Sequence, residues 1–65
     1  MIPEVMSLEE VAQFLKISER TVLREIKAGR LTAFKAGRSL RFRREAIETY
    51  IRNQEVHPDS AEDAA

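Results

Sequence analysis

The chain has 65 residues, 11 Lys and Arg against 11 Asp and Glu, and no cysteine. That length allows one small domain with a thin core and excludes a large enclosed active site. The lack of cysteine excludes disulfides and thiolate metal centres, so apolar packing must hold the fold unaided.

A formal charge of zero, taken whole, argues against a nucleic-acid partner, but the charges are not evenly spread. From Lys16 to Arg44 there are ten basic residues against two acidic ones, Glu19 and Glu25, a local balance of +8. The acids collect at the ends, with Glu55, Asp59, Glu62 and Asp63 in the last eleven residues. The opening MIPEVMSLEE is acidic and has no apolar run long enough for a signal or a membrane span. The lack of a secretion signal favours the cytoplasm, and no membrane partner is expected.

Taken in order, Met6 to Leu15 is predicted to be a first helix. Ser7 and Glu10 have capping-box spacing, Met6 and Val11 form a hydrophobic staple, and Leu8, Val11, Ala12 and Leu15 give the buried stripe. Phe14 lies off that stripe. Lys16 and Ile17 leave room only for a tight turn before a second helix, capped by Ser18 and closed by Gly29. In it Val22 and Ile26 form one apolar stripe, while Arg20, Thr21, Arg24 and Lys27 project elsewhere. Two short capped helices joined by a tight turn make the helix-turn-helix pattern, whose second helix is offered to the major groove of DNA.

After Gly29 the period becomes alternating. Phe34, Leu40 and Phe42 are expected on one face of a two-stranded hairpin and Lys35, Arg41 and Arg43 on the other, around a turn from Ala36 to Ser39 with Arg38 at the tip. Apolar inside and basic outside, such a hairpin suits the wing of a winged helix-turn-helix protein; an ordinary surface hairpin with solvated charges has the same pattern. Arg44 to Asn53 is predicted to be a third helix with Ile47, Tyr50 and Ile51 inward, although Arg43 is a poor cap. The expected fold is therefore mainly α: three helices plus a two-stranded β-hairpin wing, in a domain spanning 1–53. The acidic run 54–65, broken by Pro58, is expected to be a disordered tail.

Together these residues bear a resemblance. The run from Ser7 to Ile51 resembles the small excisionase-type DNA-binding domains, a branch related to the MerR-like winged helix-turn-helix proteins. The matching features are Leu8-Glu9-Glu10-Val11-Ala12, Ile17-Ser18, Thr21-Val22 followed by Arg24, Gly29-Arg30-Leu31, Gly37-Arg38, Arg41-Phe42, Ile47 and Tyr50-Ile51. Many relatives carry glycine where Lys16 stands and proline where Thr32 stands. The domain fills the chain, leaving no room for the effector-binding region or long dimerisation helix of full MerR-type regulators. The resemblance implies a phage or mobile-element recombination directionality factor. Such a factor binds repeated DNA sites, bends the DNA and helps an integrase favour excision. Its implied partners are duplex DNA, further copies of itself and that integrase.

DNA recognition needs cations that meet phosphates and a few side chains that reach base edges. Glu19, Arg20 and Arg24 are the candidates for the major groove, with the two arginines suited to bidentate contact with guanine. Ser18 and Thr21 are candidate phosphate donors, and Lys27 is a phosphate contact or a solvated residue. In the wing, Lys35, Arg38, Ser39, Arg41 and Arg43 are the candidates for the backbone or the minor groove. Arg30 and Arg44 are weaker candidates. Arg52 reads as an i, i+4 partner of Glu48. The bland reading of the second helix is a solvated charged face.

Catalysis and cofactors are not expected. His57, Asp59 and Ser60 crowd into the tail, one histidine without cysteine gives no metal site, and no glycine-rich phosphate loop is present. Tyr50 shares its helical spacing with Ile47 and reads as core. The leading expectation is a DNA-binding excisionase. A small transcriptional regulator of the same fold stands as one alternative, and a protein-interaction module without specific DNA binding as another.

Overall fold

The computed structural model describes residues 2–56. Its elements run β1 (Val5–Ser7), α1 (Leu8–Leu15), α2 (Glu19–Lys27), β2 (Phe34–Ala36), β3 (Ser39–Arg43) and α3 (Arg44–Gln54). The three helices and the β2–β3 hairpin are the winged helix-turn-helix architecture expected from the sequence. The expected tail lies outside the described residues from His57 onward, and Gln54 belongs to α3 rather than to the tail.

The first helix starts two residues later than the spacing suggests, because the residues before it are a strand. The β1 strand pairs antiparallel with β3, Met6 opposite Phe42, and makes the sheet three-stranded in the order β1-β3-β2. The same segment also caps α3. Arg43 supplies no side-chain cap, but the Arg44 N–H donates to the Glu4 carbonyl at 2.9 Å. A backbone acceptor thus satisfies one of the free donors at the helix start.

The capping box is complete: Ser7 Oγ accepts from the Glu10 N–H at 3.1 Å, and Glu10 Oε1 accepts from the Ser7 N–H at 2.8 Å. The Ser7 backbone N–H, and after it the Ser7 hydroxyl, hold the Glu10 carboxyl below its ordinary pKa. Both helices of the helix-turn-helix then end in the same way. In α1 the Lys16 N–H reaches the Gln13 carbonyl and the Ile17 N–H the Ala12 carbonyl; in α2 the Gly29 and Arg30 N–H groups reach the Ile26 and Glu25 carbonyls. Each is a Schellman motif with its pivot in the left-handed region. The pivots differ in kind. Gly29 sits at φ +82°, whereas Lys16 carries a full side chain at φ +59°.

The core is small and continuous. Met6, Val11, Ala12, Val22, Leu31, Phe42 and Ile47 are buried, drawing on both strand and helix elements. Leu8, Leu15, Ile17, Ile26, Leu40, Tyr50 and Ile51 pack around them, and Phe14 stays exposed.

One face assignment is reversed. Phe34 pairs with Arg41, and Lys35 with Leu40, across a two-residue turn of Gly37 and Arg38 with Gly37 at φ +67°. Directly opposed residues share a sheet face, so Lys35 lies on the side of Leu40 and Phe42. Phe34 joins Arg41 and Arg43 on the outer face, where the Arg43 guanidinium lies 5.9 Å from its ring centroid. The expected Glu48–Arg52 pair is also not formed; among the described residues the ion pair present joins Glu25 and Arg30.

Candidate nucleic-acid interface

The α2 helix is oriented by its buried side. Val22 is wholly buried and Ile26 packs beside it. At 3.6 residues per turn, Arg20 and Arg24 each lie about 200° around from Val22, which aims both directly away from the core. They and Lys27 are exposed, and they are one helical turn apart along the same outward strip.

The start of α2 is fixed by Ser18, whose Oγ accepts from the Thr21 N–H at 3.0 Å and shares a hydrogen bond with Thr21 Oγ1 at 2.9 Å. One hydroxyl hydrogen of the pair is used between them, leaving the other for an outside acceptor.

The C-terminal half is fixed by Glu25, which the sequence reading passed over. Its side chain is buried on the flank of α2 and receives Arg30 Nε and Nη2 at 2.9 and 2.8 Å and the Tyr50 hydroxyl at 3.0 Å. The Glu25 carbonyl also accepts from the Arg30 and Leu31 N–H groups. The Arg30 fork lowers the Glu25 pKa from 4.5 to about 2, against the opposing pull of burial and with help from Tyr50. Burial, and then the bond to Glu25, push the Tyr50 hydroxyl pKa up. Arg30 is thereby committed to Glu25, while the Tyr50 hydroxyl ties α2 to α3. Glu25 sits three residues after Val22 and next to Ile26, a spacing that could have marked it as inward.

The wing supplies the second cluster. Lys35, Arg38, Ser39 and Arg41 line an open groove of about 460 Å³, together with Glu19 of α2 and the start of α1. Arg41 is half-buried there and donates from Nη1 to the Leu40 carbonyl at 2.9 Å. The groove thus brings four of the five wing candidates to the leading end of α2. Arg43 is not among them; it shares the outer face with Arg41 but lies over Phe34, outside the groove. Arg44, another residue of low expectation, is half-buried at the start of α3.

Among the described residues there is no group of three or more His, Cys, Asp or Glu able to hold a metal, and Tyr50 is spent on Glu25. No helix among them is long and apolar enough to cross a membrane.

An outward basic strip on the second helix, beside a basic hairpin, defines a winged helix-turn-helix protein of the DNA-binding class. The chain belongs to the helix-turn-helix domain family, whose model matches residues 5–55. That match begins at the first residue of β1, so the strand is part of the family unit. No curated protein and no solved structure matches the chain.

Proposed function

We propose that this protein binds duplex DNA in a sequence-specific manner and acts as an excisionase-type recombination directionality factor. The observation that carries the DNA reading is the placement of Arg20 and Arg24 opposite the wholly buried Val22, on a helix held at both ends. In this reading α2 enters the major groove, where each arginine is positioned for bidentate contact with guanine and Glu19 can accept from a cytosine amino group. Lys35, Arg38 and Arg41 follow the phosphate backbone or reach the neighbouring minor groove.

The excisionase role rests on the likeness of the Ser7–Ile51 motifs to those of excisionase domains. A single module of this size buries too little DNA surface for high specific affinity, so it works as several copies on adjacent sites. Bending of that DNA and contact with an integrase complete the role. A small transcriptional regulator would use the same face at promoters.

The test is affinity selection of genomic fragments by the purified protein at physiological salt, with Arg24→Ala in parallel. Tandem sites beside an integrase attachment region support the excisionase reading, whereas promoter sites elsewhere move it to a regulator. Equal enrichment by protein and variant refutes recognition through α2 and leaves a protein-interaction module.

A further inference from the structure

The outward side of α2 carries one apolar residue among its cations. Leu23 is 45% exposed, although Val22 beside it is wholly buried. It stands three residues after Arg20 and four before Lys27, within the strip that those side chains form. It is also one turn beyond Glu19, which lines the groove under the wing. Leu23 therefore projects from the wing-side edge of the strip, next to the arginines rather than behind them. A lone exposed leucine is unremarkable on an inert surface. Here it occupies the surface that would meet base edges.

We infer that Leu23 reads the 5-methyl group of a thymine on the wing side of the base pairs contacted by Arg20 and Arg24. The inference rests on the DNA-binding reading and deepens it by assigning the apolar part of the recognition. In the major groove the thymine methyl is the only apolar feature that the bases present, and an aliphatic side chain is its natural partner. The leucine needs no partner group to satisfy, and closing over a methyl removes both apolar surfaces from water. The arginines cannot supply this discrimination, since their donors seek guanine oxygen and nitrogen.

The test removes the methyl group alone. Each thymine of a selected site is replaced in turn by deoxyuridine, and affinity is measured for the protein and for Leu23→Ala. At one thymine the replacement weakens the unaltered protein about fourfold, the worth of one buried methyl. The same replacement leaves Leu23→Ala unaffected, because the contact is already gone. Indifference of the unaltered protein to every replacement overturns the assignment to Leu23, as does an equal loss in both proteins. Neither result touches the DNA reading, which Arg24→Ala tests separately. If no site can be selected at all, that reading fails and the Leu23 assignment falls with it. Because each protein is compared with itself on the thymine and uracil sites, a partly unfolded Leu23→Ala lowers both affinities alike and does not blur the result.

Discussion

The Tyr50 hydroxyl donates to Glu25 Oε1 across 3.0 Å, joining residues 25 positions apart and fastening α3 to the buried flank of α2. With Arg30 on the other side of the same carboxylate, the second helix is held by a charged clamp as well as by apolar packing. A buried carboxylate with this many donors must stay ionised to serve them.

That requirement has a pH signature. The folded pKa of Glu25 is lowered from 4.5 to about 2, so its contribution to stability is present above about pH 4.5 and is lost as pH falls towards 2. Glu10, lowered in the same direction by Ser7, adds to the same acid limb. Thermal melts of Glu25→Gln between pH 2 and 7 are expected to show a lower melting temperature at neutral pH and a flatter acid limb. An unchanged acid limb would mean that the clamp is not what acid breaks.

The two Schellman pivots make opposite predictions. Lys16 holds a left-handed conformation that glycine adopts freely, so Lys16→Gly is expected to stabilise by about 1 kcal/mol. At Gly29 a Cβ would meet no atom within 4 Å, so Gly29→Ala is expected to destabilise by about 1 kcal/mol from backbone strain alone. In a domain of this size each shift moves the melting temperature by about 4–8 °C. Equal signs in a pair of thermal or urea melts would refute the backbone account.

The groove separates the cations that line it from Arg43. Lys35→Ala and Arg38→Ala are each expected to weaken DNA binding and to reduce the slope of log K against log salt by about 1. Arg43→Ala is expected to leave that slope unchanged, because its guanidinium lies over Phe34, outside the groove. Fluorescence anisotropy titrations at several salt concentrations decide this, and a slope change for Arg43→Ala as large as the others would place the DNA elsewhere.

The core leaves little margin. Phe42 is wholly buried in the central strand, and Phe42→Ala is expected to cost about 3–5 kcal/mol, enough to unfold much of the population. Circular dichroism of the variant with and without a stabilising osmolyte checks this; native helicity in buffer alone would show the core to be more tolerant.

Most of this was legible in the local pattern. Ser7 with Glu10, Ser18 with Thr21 and the Gly29 stop are short-range signals, and each is realised in the structure. What the local pattern could not show was long-range. Val5 to Ser7 makes a strand only because β3 is there to pair with it, and three residues have no period of their own. Phe34 was assigned inward by residue type, but a two-residue turn places it opposite Arg41, and strand pairing overrides hydrophobicity at the sheet's outer end. Glu25 read as one more charge because its partners Arg30 and Tyr50 become neighbours only once the helices pack. For the interface, the helical period shows that Arg20 and Arg24 point away from Val22, whereas placing Lys35 on the face opposite Arg41 and Arg43 required the register.

The strand β1 also changes what sort of object the wing is. A hairpin attached only through its loops would swing as a finger, and its tip could sample many positions. Here the longer strand is the middle plank of the sheet, nailed on one side by Val5 to Ser7 and continued directly into α3. Only the stretch from Lys35 to Leu40 overhangs. The distance from α2 to the wing is consequently a fixed span, and if both engage DNA as proposed, the protein would gauge the double helix like a caliper with one short jaw.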